Sequence, residues 1–231
     1  MIFQLFNAEI SISQATSATI KYKHTTFIDF ENMPSDMPKS VDEYRKLSIN
    51  GNESIYEKDL DVKIDDNSNE NMPRMFRRMR EQPTKTTYKN LEKFLTLEQL
   101  NVFGKDFLIT DTIENIKWKV SAGEQKIVAG YTCMKAMFQD STNNIVVFFT
   151  PQIPYKFGPD KYGNLPGVIL EVQSANFHIM ATEVKKEIVS IVIPSKGSKM
   201  NKKEFEKLRE EKTKEMREMW GGRGNTRVIR Q

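Results

Sequence analysis

The sequence has little of the residue types that most often carry enzyme chemistry. Its 231 residues include one cysteine, Cys133, and two histidines, His24 and His178. A single cysteine excludes an internal disulfide framework and any zinc site built from several cysteines. Two histidines leave little room for acid–base or metal chemistry that depends on imidazole. We therefore predict no catalytic residue, metal site or cofactor, and we expect a binding protein rather than an enzyme.

Long apolar runs are missing as well. No stretch approaches the roughly 20 apolar residues that a membrane-spanning helix needs, so we expect no transmembrane segment. The net charge is only +4, from 35 basic and 31 acidic residues. Nucleic-acid-binding proteins usually carry a larger and more clustered basic excess. The short Gly-Arg tail has no interleaved aromatic residues, and we expect no nucleic acid partner.

Short apolar segments separated by turn residues dominate the second half of the chain. Residues 116–120 alternate between apolar and polar side chains, which predicts a strand with one buried face. Residues 145–150 are apolar on both faces and predict a central strand. Short turns without intervening helices imply antiparallel pairing. The expected fold is mainly β, a strongly curved antiparallel sheet or partial barrel with a charged C-terminal α-helix.

Several local signals predict individual elements. Ser40 followed by Glu43 has the spacing of a capping box and predicts helical turns over residues 41–47. Asn50-Gly51 predicts a hairpin turn, and the β-prone residues 186–193 predict a further strand. Asn201 followed by Glu204 predicts the start of the C-terminal helix, which Gly221 would end.

Charge and composition divide the chain into three parts. Residues 1–16 are expected to be a leader remnant or a disordered N-terminus, because an apolar start precedes small polar residues without a basic region. The alternative is an ordinary N-terminal strand preceded by a loose tail. Residues 17–197 form the predicted antiparallel β domain, with a mobile insertion at 65–87. Residues 198–231 are the charged helix and its flexible Gly/Arg tail.

The most unusual stretch is the loop between two apolar strands near residues 150–167, which holds four prolines and three glycines. Such a loop is stiff, and it either presents side chains to a ligand or serves as a rigid crossover. The residues expected to shape it are Pro151, Pro154, Gly158, Pro159, Gly163, Asn164, Pro166 and Gly167. The candidate ligand-binding residues are Tyr155, Phe157, Lys161 and Tyr162, together with Trp118 and Phe149 in a concave groove of the sheet.

The end of this loop also carries a family resemblance. Residues 163–171 read Gly-Asn-Leu-Pro-Gly-Val-Ile-Leu-Glu, which resembles the signature of the GLPGLI family, exported Bacteroidetes proteins without a characterised function. Blocks at 105–111, 116–118, 127–136 and 149–154 resemble the family in the same order. Asn164 and Val168 depart from the signature, where the family has glycine and leucine.

The resemblance implies a noncatalytic binding or accessory protein of the periplasm or outer cell envelope. Family members are often encoded near outer-membrane TonB-dependent receptors, so it also implies an association with outer-membrane transport. The partner would be an unknown envelope protein or a small hydrophobic or peptidic ligand. Two alternatives remain open: a hydrolase that uses paired carboxylates or Cys133, and a structural or assembly partner that acts through the helix at residues 201–219.

Overall fold

Twelve strands form one sheet in the computed structural model, which describes residues 17–28, 38–62, 85–102, 104–139 and 144–221. The strands are β1 (Ser17–Phe27), β2 (Ser40–Asn50), β3 (Glu53–Lys58), β4 (Thr86–Asn90), β5 (Leu95–Val102), β6 (Lys105–Thr112), β7 (Lys119–Val128), β8 (Tyr131–Gln139), β9 (Asn144–Thr150), β10 (Val168–Gln173), β11 (Phe177–Lys185) and β12 (Ser198–Asn201), followed by the helix α1 (Lys202–Gly221).

The sheet order is β12-β6-β5-β4-β3-β2-β1-β11-β10-β9-β8-β7. The pairs are antiparallel except for β12 with β6, which is parallel. The two ends of the order, β12 and β7, do not pair with each other, so the sheet is open. The expected fold class is confirmed: a mainly β protein with a single large, curved sheet and a C-terminal helix.

One core joins the two halves of the sheet. Ile20 and Leu47 from β1 and β2 belong to the same buried cluster as Val147 and Phe149 from β9. Strands that lie apart in the sheet order share this core because the sheet folds over on itself. The Tyr22 hydroxyl donates a hydrogen bond to the carbonyl oxygen of Ile169 across the core, at 2.6 Å. Burial of these apolar side chains supplies most of the stabilisation that the fold needs.

The helical turns predicted at residues 41–47 are wrong, because this segment lies in β2. Leu47 and Ile49 are buried on one face of the strand. β2 pairs with β1 on one edge and with β3 on the other, so its backbone groups are used on both sides. Tertiary burial and two ladders override the weak capping signal of Ser40 and Glu43. The hairpin at Asn50-Gly51 is confirmed: Asn50 pairs with Glu53, and Gly51 has a φ of 55°.

The paired strand predicted at residues 186–193 is also wrong. Residues 186–196, which we call the strap, run without a ladder partner from the end of β11 towards β12. Asn50 Nδ2 donates to the Val189 carbonyl at 3.1 Å, and the Lys196 amide donates to Gln99 Oε1 at 3.1 Å. The edges of β1 and β11 are already occupied by neighbouring strands. β-branched residues favour an extended backbone here, but the strap forms no ladder with a neighbouring strand.

The C-terminal helix begins as predicted. The Asn201 amide donates to Glu204 Oε2 at 3.0 Å, and the Glu204 amide donates to Asn201 Oδ1 at 2.9 Å, which is a reciprocal capping box. Phe205 packs edge-on against Phe107 of β6, with ring centroids 5.4 Å apart. Together with Ile109 they form a small second core. No helix within the described residues is long and apolar enough to cross a membrane.

Some predictions lie outside the described residues. They concern the leader at 1–16, most of the insertion at 65–87 and the tail from residue 222 onward. At the end of the expected insertion, residues 85–87 are described, and residues 86 and 87 begin β4.

Candidate functional site

The proline-rich loop between β9 and β10 folds back on itself. Phe157 and Gly163 form an isolated antiparallel bridge. The Asn164 amide donates to the Lys156 carbonyl at 2.9 Å, and the Ile169 amide donates to the Phe157 carbonyl at 3.0 Å. Asn164 has a φ of 64°, as its side-chain type allows. The loop therefore has a defined structure, which its own backbone hydrogen bonds stabilise.

Side chains of β4 and of Lys85, which directly precedes it, hold this loop. Asp160 Oδ1 lies 2.7 Å from Lys85 Nζ and accepts a hydrogen bond from Thr87 Oγ1 at 3.2 Å. Lys89 Nζ donates to the Tyr162 carbonyl at 2.7 Å. Burial alone would raise the pKa of Asp160, but the surrounding ammonium and guanidinium groups lower it to about 2. Burial lowers the pKa of Lys89 to about 8. At neutral pH the Asp160 carboxylate is ionised and the Lys89 ammonium is largely protonated. The loop is therefore held by the ion pair of Asp160 with Lys85 and by the hydrogen bond from Lys89 to the Tyr162 carbonyl.

The predicted ligand-binding residues fall into two groups. Phe149, Phe157 and Tyr162 are buried, with exposures of 1 %, 1 % and 4 %. Trp118 is half-buried and donates its indole N–H to the Gly163 carbonyl at 2.8 Å. Tyr155 is half-exposed and Lys161 is exposed. That these side chains bind a ligand stays a prediction, and Trp118, Tyr155 and Lys161 are the three that keep surface for it.

Of the eight residues predicted to shape the loop, four face the interior and four face solvent. Gly158, Pro159, Gly163 and Gly167 are buried, and Pro151, Pro154, Asn164 and Pro166 are exposed. Asn164 Nδ2 donates to the Glu114 carbonyl at 2.9 Å, which fixes the loop to the segment between β6 and β7.

A pocket of about 730 Å³ lies where this loop meets the tips of two hairpins. The tips are the turn between β2 and β3 and the turn between β4 and β5. We call this space the tip pocket. Its walls combine apolar and aromatic surface with amides and a carboxylate. The lining residues include Leu91, Phe94, Ile113, Tyr155, Asn52, Asn115 and Glu92.

Phe94 is the most unusual residue of the tip pocket. Its side chain is 72 % exposed, and its φ is 49°, in the left-handed region that bulky residues rarely adopt. The turn is fixed on both sides: the Lys93 amide donates to Asn90 Oδ1 at 2.8 Å, and the Ile113 amide donates to the Phe94 carbonyl at 3.1 Å. Strained backbone that is held in this way is concentrated at binding sites.

Sequence reasoning missed Phe94. The available signal was the pair Phe94-Leu95 directly after a turn, because adjacent strand residues point to opposite faces and both cannot enter one core. Leu95 is half-buried, and Phe94 is the exposed member of the pair.

A second charged cluster is centred on a fully buried carboxylate. Glu171 of β10 is 0 % exposed. Its carboxylate lies 2.7 Å from Lys126 Nζ of β7 and 2.8 Å from His178 Nε2 of β11, and it accepts a hydrogen bond from Gln173 Nε2 at 2.7 Å. Burial would raise the pKa of Glu171, but these hydrogen bonds lower it below the ordinary value. The cluster ties β7 to β10 and β11 where the sheet folds over.

Cys133 has the surroundings of a core residue. It is 0 % exposed, and burial raises the pKa of its thiol to about 11. The nucleophile is the thiolate, so a thiol with this pKa and no access to solvent is inert. The hydrolase version that relies on Cys133 therefore fails.

Cys133 in the native protein is expected to react about 100-fold more slowly with iodoacetamide at pH 8 than in the unfolded chain, because about two pKa units separate the two thiols. Mass spectrometry of timed samples, with and without urea, measures the ratio. Equal rates would show that the thiol is reachable in the native state.

This chain matches a protein family in sequence and resembles a solved protein in structure. The family model described as "N-glycanase peptide, N-terminal domain" matches residues 75–210. Two crystal forms of PNGF-II are similar in structure, with TM-scores of 0.57 and 0.56 at 15 % and 16 % sequence identity. The matches cover 84 % and 83 % of this chain but only 33 % and 32 % of the PNGF-II chain. A search of curated protein sequences finds no significant match.

The resemblance to the GLPGLI family is therefore wrong, and the envelope accessory function and the association with TonB-dependent receptors that it implied are wrong with it. The family model that matches over half of the chain is that of an N-glycanase domain. The signature at residues 163–171 misled because the fold itself requires its residue types. Gly167 lies against the Thr150 backbone, and Val168, Ile169 and Leu170 are all 0 % exposed. A tight turn followed by a strand that is buried on both faces would suit unrelated β proteins equally.

Proposed function

This chain belongs to the family of N-glycanase peptide N-terminal domains, and we propose that it acts in a glycan-cleaving hydrolase by holding the N-linked glycan of the substrate in the tip pocket. The chain spans about a third of the length of the PNGF-II chains that it matches in structure. Cleavage of the glycan is thus proposed for the protein as a whole, and glycan contact for this part of it. The expected location in the periplasm or outer envelope belongs to the same proposal.

The chemistry of the tip pocket supports this role. A sugar ring has an apolar face of C–H groups and a rim of hydroxyls, so its binding sites combine flat aromatic surface with amides and carboxylates. Phe94 and Tyr155 offer the aromatic surface, and Asn52, Asn115 and Glu92 are placed around them. The volume of about 730 Å³ lies within the range of sites for small ligands.

The single observation that carries the proposal is Phe94 itself. An exposed phenyl ring on a left-handed backbone is unfavourable for folding in two respects, solvation and conformation. A bound ligand would cover the exposed ring, and the fixed backbone would hold the ring in position for that contact.

The carboxylates of Asp160 and Glu171 do not favour a proton-donating role. Neighbouring positive charges hold the pKa of Asp160 at about 2, and hydrogen bonds lower that of Glu171. A general acid needs a pKa near or above the working pH. We assign Asp160 to fastening the loop that carries Tyr155, and Glu171 to joining β10 to β7 and β11.

Replacing Phe94 with asparagine tests the proposal, because asparagine tolerates positive φ but has no ring. We expect the affinity for a peptide carrying one N-linked glycan to fall at least about 10-fold, equivalent to about 1.4 kcal/mol. The free energy of unfolding should stay unchanged or rise by up to about 1 kcal/mol, since strain is relieved. Isothermal titration calorimetry and urea denaturation measure the two effects.

The matched control is Leu60→Asn, which removes another exposed apolar side chain, 81 % exposed and outside the tip pocket. Its glycopeptide affinity should equal that of the unaltered protein. Full glycopeptide affinity in Phe94→Asn, or an equal loss in the two variants, would contradict the proposal.

A further inference from the structure

The end of β4 contacts both of the features that carry the aromatic residues of the tip pocket. Its last two residues, Lys89 and Asn90, are each only 4 % exposed. Adjacent strand residues point to opposite faces of the sheet. On one face Lys89 holds the proline-rich loop through the Tyr162 carbonyl. On the other face Asn90 contacts the turn that leads to Phe94.

The side chain of Asn90 uses both of its polar atoms. Its Oδ1 accepts a hydrogen bond from the Lys93 amide, three residues ahead, at 2.8 Å. Its Nδ2 donates to Glu53 Oε1 at 2.9 Å and to the Tyr88 hydroxyl oxygen at 3.3 Å. One side chain therefore closes its own turn and is itself bound to the neighbouring strand β3.

Glu53 fixes the orientation of the Asn90 carboxamide. It lies directly opposite Asn90 in the pairing of β3 with β4. The same carboxylate oxygen accepts a hydrogen bond from the hydroxyl of Tyr88, which is 1 % exposed. Hydrogen bonds to a carboxylate are stronger than those between neutral groups. The carboxamide is therefore held with its oxygen towards the Lys93 amide.

The same contacts join the tips of the two hairpins. The Leu91 amide donates to the Asn52 carbonyl at 2.9 Å, and both residues line the tip pocket. With Asn90 bound to Glu53, the two tips are tied by backbone and by side chain. Phe94 follows with a φ of 49°. A bulky residue keeps this conformation only where the surrounding structure holds it.

We propose that Asn90 is the positioning residue of the tip pocket: its carboxamide holds the turn that keeps the Phe94 ring in the pocket wall. This proposal rests on the proposed function of the tip pocket. Asn90 is buried and is not among the lining residues, so it acts through Phe94 and not by touching the ligand. Without it the ligand would have to order the turn on binding, which weakens the affinity.

Two substitutions of Asn90 test this role. Asn90→Ala removes both sets of hydrogen bonds, whereas Asn90→Ser keeps an oxygen that can accept the Lys93 amide. We expect Asn90→Ala to bind an N-glycosylated peptide at least about 5-fold more weakly, the effect of about one hydrogen bond. Asn90→Ser should bind within about 2-fold of the unaltered protein. Isothermal titration calorimetry measures the affinities, and circular dichroism shows that each variant is folded.

A double-mutant cycle separates positioning from a general loss of stability. If Asn90 acts through Phe94, Asn90→Ala should change the affinity by less than about 2-fold when Phe94→Asn is already present. A substitution that only destabilises the protein would weaken binding equally in both backgrounds. The matched control is Asn50→Ala, which removes the same side chain and its hydrogen bonds with Ser17 and Val189 at the end of β2. Its affinity should equal that of the unaltered protein.

Full affinity in Asn90→Ala, or a loss that persists in the Phe94→Asn background, would overturn the assignment of Asn90 and leave the tip pocket standing. The Lys93 amide supplies a measurement that needs no variant to fold. In the unaltered protein its hydrogen exchange should be at least about 10-fold slower than in an unstructured peptide, and exchange at the unstructured rate would overturn the assignment. If the unaltered protein does not bind the glycopeptide, or Phe94→Asn binds it with full affinity, the proposed function fails and the role of Asn90 fails with it.

Discussion

Replacing Gly167 with alanine is expected to lower the free energy of unfolding by about 3 kcal/mol or more. An added Cβ would lie 2.2 Å from the Thr150 carbonyl oxygen and 2.5 Å from its carbon, and Gly167 has a φ of 156°. The obstacle is backbone, not a flexible side chain, so β9 and β10 would have to separate where Thr150 pairs with Val168. Urea denaturation followed by circular dichroism measures the loss.

The control for this variant is Gly104→Ala. Gly104 also has a positive φ, 73°, but an added Cβ would meet nothing within 4 Å. Its substitution should cost only the conformational term, about 1 kcal/mol. If the two variants lose equal stability, close approach of the Thr150 backbone is not what requires glycine at 167.

Replacing Glu171 with alanine is expected to destabilise the protein by about 2–3 kcal/mol. The carboxylate is 0 % exposed and contacts Lys126, His178 and Gln173. Removing one partner of a buried charge pair is strongly destabilising. The effect is reduced here because the side chains of Lys126 and His178 are 41 % and 31 % exposed and can turn to water.

The same variant should change the dependence of stability on pH. The pKa of Glu171 is lower in the folded protein than in the unfolded chain. As pH falls below about 4.5, the unfolded chain takes up the proton first, so the contribution of Glu171 is present at neutral pH and is lost in acid. Glu171→Ala should therefore lose more stability relative to the unaltered protein at pH 7 than in strong acid.

The control for Glu171 is an exposed ion pair. Glu215→Ala removes the partner of Lys212 on the helix surface, where the two groups are 2.7 Å apart and about half exposed. Such a pair contributes about 0.2–0.5 kcal/mol. An equally small effect of Glu171→Ala at pH 7 would show that the internal cluster does not hold the folded sheet together.

Those parts of the fold that depend on local pattern were predictable from sequence. The apolar residues 145–150 form β9, where Ile145, Val147 and Phe149 are buried. The capping box of Asn201 and Glu204 forms as the spacing indicates. In both cases the signal lies within a few residues, and tertiary structure reinforces it.

The failures have a common cause, which is long-range structure. Residues 41–47 have a local helix signal but form a strand that pairs on both edges, and residues 186–193 have strand composition but pair with no strand. Lys126 and Glu171 meet because the sheet folds over. Their spacing in the sequence does not predict this contact.

The candidate site was only partly predictable for the same reason. The proline-rich loop drew attention to Tyr155, which lines the tip pocket. The same composition also indicated Phe149, Phe157 and Tyr162, which are buried. Composition alone does not show which aromatic rings face the core. Phe94 is a candidate because the hairpin tip between β4 and β5 lies beside that loop, and this proximity depends on the folded sheet.

The most direct test of the central claim is the ratio of two dissociation constants on the unaltered protein, one for an N-glycosylated peptide and one for the same peptide without its glycan. Isothermal titration calorimetry measures both. The account predicts that the glycosylated peptide binds at least about 10-fold more tightly and that the backbone amide resonances it shifts include those of residues 91–94 and 155–157, which border the tip pocket. Equal affinities, or shifts confined to other parts of the sheet, would contradict it.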